Sequence, residues 1–260
     1  MELVVLLKTV PDLAEELEID DAGTDLGREW LTYVTSEWDE YALEEALQLK
    51  EARADTTVTC LALDTGSVDE LLATCLARGA DRAFKVGTFD KTPDSHTAAR
   101  AFASTLAGVP HDLILTGVQA IDDLDGQVGP LLAAALDLPH VSVVTHIAIA
   151  ADGATVTANQ EYAGGLVAEF EVDLPAVLGV QTSRETPRYA PVSRVRQLMK
   201  TADIGRLDGA AEPAAGLTIE AMSLPEATSQ AEMIAGTPDA IADRLATLLR
   251  DRGLVPGGVR

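Results

Sequence analysis

The chain has little of what several functional classes need. It has two cysteines, Cys60 and Cys75, in apolar surroundings without C-x-x-C spacing or a His-rich neighbour, so they offer no metal-ligand set and read as buried, inert thiols. The four histidines, His96, His111, His140 and His146, are scattered without ligand spacing or a nearby nucleophile motif, which leaves a metal site or a catalytic triad unsupported. Cations are scarce: 19 Lys and Arg stand against 42 Asp and Glu, a net charge of −23 that repels nucleic acid and anionic membranes. The acidity suits either solubility in a salty cytoplasm or attraction to a basic partner. No apolar run approaches the ~20 residues of a membrane span. The opening Met1-Glu2-Leu3-Val4-Val5-Leu6-Leu7 lacks the basic start and cleavage site of a signal peptide, and reads as the first β-strand of a cytoplasmic protein.

What is present is a folding composition, 47% hydrophobic with 23% charged residues, over 260 residues that can form one domain or two. The first two-thirds alternate between strand and helix patterns. Strands are expected at Leu3 to Leu7, Thr57 to Leu63, Ala83 to Val86 and Asp112 to Thr116, and helices at Glu37 to Ala52, Val68 to Ala77, Asp94 to Leu106 and Pro130 to Leu136. Such alternation implies an α/β fold, a doubly wound and mostly parallel sheet with helices on both faces. Ser36 is placed to cap the first helix with Asp39 three residues on, and Trp38, Ala42, Ala46 and Leu49 follow at helical spacing.

From Val141 the period changes. Val141 to Ile149, Thr155 to Tyr162, Leu166 to Val172 and Ala176 to Val180 read as strands, with a tight-turn signal at Asp152-Gly153, and are expected to extend the parallel sheet with antiparallel strands. A nucleotide-binding α/β domain is therefore expected over 1–200, and a C-terminal arm and helix contacting a partner over 201–260. The Gly-, Ala- and Pro-rich stretch Leu207 to Gly216 suits the arm, and Thr237-Pro238 starts a helix to about Arg252 with Ile241, Leu245, Leu248 and Leu249 on one face.

The most informative stretch runs from Leu113 to Pro130. An apolar strand leads into the polar loop Gly117-Val118-Gln119-Ala120-Ile121-Asp122-Asp123-Leu124-Asp125-Gly126-Gln127-Val128-Gly129, and Pro130 then sits in the opening turn of an apolar helix. Glycines let backbone amides approach a ligand, amides at a helix start attract phosphate, and the carboxyl-end crevice of an open Rossmann-like sheet is where nucleotides sit.

The wording of that loop resembles the adenine-nucleotide signature of the electron transfer flavoprotein β subunit. Further stretches agree in the same order: Lys8-Thr9-Val10-Pro11-Asp12 after the first strand, Glu44 to Glu51 on the first long helix, Gly79-Ala80-Asp81-Arg82, Gly164-Gly165-Leu166, and Pro187-Arg188-Tyr189-Ala190 after a late strand. The match spans residues 2 to about 200. The resemblance implies a heterodimer with an α subunit that holds the redox FAD, with AMP or a second FAD in this chain, passing electrons between a dehydrogenase donor and a quinone-linked acceptor. No nucleic-acid partner is implied.

Carried over by motif, the nucleotide-lining residues are Leu6, Ser36, Glu37, Trp38, Asp39, Leu63, Gln119, Ala120, Ile121, Asp122, Asp123, Gly126, Gln127, Val128 and Gly129. Gln119 offers a donor and an acceptor, Asp122 and Asp123 can accept from ribose hydroxyls or the adenine amine, and the amides from Gly126 to Gly129 face phosphate. Without the resemblance, the loop aspartates read as turn-forming residues; Ser36, which stands where the family has Asn, is explained by capping alone; Lys8 ends a strand near the expected crevice and could meet a phosphate or flavin edge, but a solvated strand-end lysine is commoner and it is not counted among the direct ligands. Arg184, Glu185, Pro187, Arg188 and Tyr189 correspond to the family's partner-docking loop. Arg184 stands where the family has an apolar anchor, and a guanidinium cannot fill an apolar pocket without a large desolvation cost. Asp122-Asp123 resembles AMP-binding members, whereas Gln127-Val128-Gly129-Pro130 resembles electron-bifurcating, two-flavin members, so the second nucleotide stays open. Two other readings are an ATP-binding adenylating enzyme of the adenine nucleotide α-hydrolase class, whose Ser-Gly-Gly-x-Asp-Ser-type loop is not matched by Lys8 to Asp12, and a stand-alone AMP-binding module.

Overall fold

Leu3, Val4, Val5, Leu6 and Leu7 are all buried, because a parallel strand at the centre of a sheet is covered on both faces and its apolar residues cannot alternate with polar ones. They form β1 (Glu2–Leu7), and Leu3, Val5 and Leu7 enter one core while Val4 and Leu6 enter the other. The structure, a computed structural model, describes residues 1–209, 218–225 and 231–254. After β1 the chain forms β2 (Thr9–Pro11), β3 (Tyr33–Thr35), α1 (Glu37–Ala52), β4 (Thr57–Leu63), α2 (Asp69–Arg78), β5 (Arg82–Val86), α3 (Ser95–Leu106), β6 (Leu113–Gly117) and α4 (Val128–Leu136). Then follow β7 (His140–Ile149), β8 (Thr155–Tyr162), β9 (Leu166–Asp173), β10 (Ala176–Val180), α5 (Val192–Thr201), β11 (Gly205–Leu207) and α6 (Pro238–Asp251).

Nine strands make one sheet in the order β11-β5-β4-β1-β6-β10-β7-β8-β9. It is parallel from β11 through β7, and β7, β8 and β9 pair antiparallel. The expected doubly wound, mostly parallel α/β fold with an antiparallel extension is what forms. The late strand β10 inserts between β6 and β7, so the first part of β7 pairs parallel to β10 and the rest antiparallel to β8. In its pairing with β10, β7 carries a register shift between Val141 and Val144, and Val143 within it has a φ of 57° in the left-handed region.

One core is built on α1 and α2, with Ala42, Leu43, Ala46, Leu47, Leu71 and Leu72 against the sheet. The other is built on α3 and α4, with Ala98, Phe102, Leu106 and Leu132. Cys60 and Cys75 are both buried in the first, and the contact with Cys75, together with burial, pushes the Cys60 thiol well above its ordinary value. α4 starts at Val128, two residues before Pro130, which therefore lies inside the first turn, where its missing N–H costs nothing.

The chain divides into two units, Met1–Glu220 and Ala221–Arg260. Past Lys200 the first unit continues with β11, which adds to the sheet edge beside β5. Of the Gly-, Ala- and Pro-rich stretch, residues 210–216 lie outside the described residues. In the second unit α6 is capped by the Thr237 hydroxyl, which accepts from the Ala240 amide at 3.4 Å, and none of its residues is buried. No helix among the described residues is long and apolar enough to cross a membrane.

Candidate functional site

The strand order reverses beside β1, because the chain runs β1, β4, β5 to one side and then places β6 on the other. The carboxyl ends of β1 and β6 therefore flank the switch point, where open α/β sheets bind ligands. Asp39, in the first turn of α1, spans that gap. Its Oδ2 accepts from the Lys8 amide at 2.9 Å and its Oδ1 from the Gly117 amide at 3.0 Å. Gly117 has to be glycine for this contact, since a Cβ there would come within 2.5 Å of Asp39 Oδ1 and 2.8 Å of Trp38 Cβ. Burial pushes the Asp39 carboxyl up to about 7, against the two amides and the Lys8 ammonium, which pull it down.

The expected capping box is not formed. Ser36 occupies the N-cap position of α1, but its side chain makes no capping hydrogen bond, and its Oγ is buried without a partner among the described residues. The reason is that Asp39, three residues on, is already engaged by the two strand ends. The Ser36 amide donates to Lys8 O at 3.0 Å, so the backbone of Lys8 is gripped from both sides.

The loop from β6 to α4 is folded but open. Ala120 and Asp123 exchange backbone hydrogen bonds of 3.1 and 3.0 Å, and Gly126, at φ 61°, sits where a Cβ would meet Val118 O at 2.5 Å. Gln119, Ile121, Gly126, Gln127 and Val128 are half-buried, Leu124 and Asp125 exposed, and Ala120 and Gly129 buried. Neither Asp122 nor Asp123 bonds a turn amide. Asp122 pairs with Lys8 Nζ at 2.6 Å, and Asp123 Oδ2 accepts from the Ser95 hydroxyl at 2.7 Å, which ties the loop to β1 and to the start of α3. Lys8, read as solvated, is a partly buried cation, its side chain 26% exposed.

The amides of the first turn of α4 have no intrahelical acceptor, and the positive end of the helix dipole faces the loop. Beneath that turn, a Cβ on Gly129 would lie 3.1 Å from Thr116 Oγ1 and 3.2 Å from the His140 ring. Thr116 Oγ1 and His140 Nε2 are both buried without a partner among the described residues. His140 Nδ1 is 3.0 Å from the Val177 carbonyl, which only accepts, so Nδ1 carries the proton and Nε2 is an acceptor. Burial holds the His140 pKa below its ordinary value and keeps the ring neutral. Leu6 and Leu63 bury their side chains in the α3/α4 core and pair along the sheet with Leu61 and Val86. Glu37 is exposed and Trp38 half-buried beside Gly117. The donors present, helix-start amides, one cation and buried hydroxyls, are those an adenosine phosphate needs.

The residues after β10 behave differently. Arg188 folds back on α1: its Nε and Nη2 reach Glu44 at 2.9 and 2.8 Å, its amide donates to Glu44 Oε2 at 3.0 Å, and Nη1 reaches Glu51 at 2.6 Å. Burial alone raises the Glu44 pKa, but the Arg188 guanidinium and amide outweigh it and hold the carboxyl below its ordinary value, while Glu44 and Glu51 raise that of Arg188. The adjacent Glu45 accepts from the Ile147 amide and the Ser183 hydroxyl, both at 2.8 Å. This clamp leaves Arg184, Glu185 and Tyr189 exposed, Tyr189 at 78%, and Pro187 half-buried. The burial of the Glu44-Glu45 pair was missed from sequence, because α1 carries charged residues along its length and nothing local sets these two apart.

Residues 30–211 match the model of the electron transfer flavoprotein domain. The chain belongs to the electron transfer flavoprotein β-subunit family. It is similar to electron transfer flavoprotein subunit beta of Methylophilus methylotrophus, with 30% identity over 96% of this chain and 98% of the relative. It is likewise similar to that subunit of Syntrophomonas wolfei, with 32% identity over 96% of each chain, and of Bacillus subtilis, with 31% over 98% of this chain and 100% of the relative. The role of a flavoprotein β subunit in electron transfer goes with that membership, and the subunit name implies an α counterpart.

Proposed function

We propose that this chain pairs with an electron transfer flavoprotein α subunit in the cytoplasm, binds an adenine nucleotide, AMP or a second FAD, in the crevice between β1 and β6, and helps hold the redox FAD. Electrons then pass from a dehydrogenase to a quinone-linked acceptor. The observation that carries the reading is the open turn between β6 and α4, which leaves helix-start amides facing the switch point beside a single paired lysine. Gly126, Gln127, Val128 and Gly129 would hold the phosphate through their amides; Gln119, Asp122 and Asp123 would meet ribose or adenine; Leu6, Ser36, Glu37, Trp38, Asp39, Leu63, Ala120 and Ile121 would line the site, Asp39 by fixing its two walls. FAD, when bound, supplies the electron-accepting and electron-donating chemistry. This chain's residues position it and set its electrostatic surroundings. Partner docking is proposed for the exposed Arg184, Glu185 and Tyr189, with Pro187 and Arg188 holding that loop on α1.

The test is co-expression with an α-type chain, followed by a visible spectrum and chromatography of the released nucleotides. A yellow heterodimer with one FAD and one AMP supports simple transfer, and two FAD per dimer supports bifurcation. A colourless monomer that hydrolyses ATP overturns the carrier reading in favour of an adenylating enzyme.

A further inference from the structure

The segment from Gly117 to Pro130 contains three carboxylates, Asp122, Asp123 and Asp125, and no cation, in a chain of net charge −23. An adenosine phosphate entering this turn adds further negative charge, and helix-start amides contribute only partial positive charge. Among the described residues, the one ion pair that reaches the loop is Lys8 Nζ to Asp122 at 2.6 Å. Lys8 does not dangle from a strand end. Its amide is held by Asp39 and its carbonyl by the Ser36 amide, so its backbone is fixed at the switch point. A second mark of a ligand site lies at the end of β6: Thr116, 4% exposed, keeps a hydroxyl without a partner among the described residues, beneath Gly129 in the first turn of α4.

We propose that Lys8 is the phosphate-binding cation of this site, meeting the adenosine phosphate with its ammonium, and that Asp122 tunes affinity by competing for the same ammonium. The inference rests on the nucleotide reading above. The Asp122 carboxylate, 2.6 Å from the ammonium, and a phosphate oxygen are both anionic acceptors of one point charge, so each weakens the hold of the other.

The experiment uses the full chain co-purified with its α subunit and stripped of nucleotide, and titrates it with AMP, FAD and adenosine in wild type, K8M, K8R and D122N. K8M is expected to weaken the phosphorylated ligand about ten- to a hundredfold, the worth of a charge-assisted hydrogen bond, and to leave adenosine within about twofold. K8R restores most of the loss, and D122N raises the affinity for AMP relative to that for adenosine, because the ribose or adenine contact it also removes is common to both ligands. Equal loss of AMP and adenosine in K8M, or a ratio of AMP to adenosine affinity in D122N no higher than in wild type, overturns the proposal and makes Lys8 a support for the loop alone. Wild type that takes up none of the three ligands overturns the nucleotide reading itself, and the role of Lys8 with it.

Discussion

Replacing Arg188 with alanine tests whether the loop after β10 is held by a buried charge clamp. The Glu44 side chain is 4% exposed and receives the Arg188 amide and two guanidinium nitrogens, whereas Glu51 is 65% exposed. The contact with Glu51 contributes about 0–1 kcal/mol. Truncation leaves the Glu44 carboxylate buried with no counter-ion, a change that costs about 3–5 kcal/mol for a fully buried pair. Arg188 is 31% exposed, so solvent already screens part of its attraction, and about 2–3 kcal/mol is the expected loss. For a unit of this size that corresponds to a melting temperature lower by roughly 5–10 °C. The pH dependence has a definite sign. Glu44 is held below its ordinary value in the folded chain, so its stabilisation is present above the unfolded pKa and is lost as pH falls through the folded one. The gap in melting temperature between wild type and R188A is therefore full at pH 7 and closes below about pH 4. Thermal unfolding followed by circular dichroism from pH 7 down to pH 3, with E44Q and the E44Q/R188A double variant completing the cycle, measures this. A gap under about 1 °C at pH 7, or additive single effects, would refute the clamp.

G117A places a Cβ within 2.5 Å of Asp39 Oδ1 and 3.0 Å of the Asp39 amide, and is expected to cost about 2–3 kcal/mol and to weaken nucleotide retention, checked by thermal melts and by the nucleotide content of the purified heterodimer. Asp39 is raised to about 7, so its neutral form contributes stability that is full below the unfolded value of 3.8 and is lost as pH rises through about 7; D39N removes that slope, and a carboxyl infrared band that disappears near neutral pH reports it directly. His140 has the opposite sign: its pKa is lowered by burial, so stability is full above the unfolded value of 6.5 and falls as pH drops below it, and H140Q flattens that part of the melting profile.

Elements whose signal is local were legible from residue pattern. Thr57 to Leu63, β-branched and apolar, and Ala176 to Val180, without a polar side chain, carry strand signals of their own, and both form as read. Glu37 to Ala52 shows the helical period and forms over the same residues. The three-residue strands β2, β3 and β11 are too short to show a period, and the place of β10 between β6 and β7 depends on pairing with strands that precede it in the chain. Within the site the same division holds. Gly117 and Gly126 announce close backbone approach by their residue type, because a side chain there would strike Asp39 or Val118. The partners of charged groups carry no such mark. Ser36 and Asp39 match a local capping pattern, yet the carboxylate goes to the ends of β1 and β6, since two strand-end amides brought together by the sheet compete successfully with one neighbouring amide. Glu44 and Glu45 look like a solvated face until Arg188, Ser183 and the Ile147 amide arrive from more than a hundred residues away. A carboxylate's fate in this fold is therefore decided by which amides and cations the topology delivers to it. For that reason the ordered motifs, Lys8 to Asp12 among them, identified the family, while the pairing of Lys8 with Asp122 had to be read from the structure.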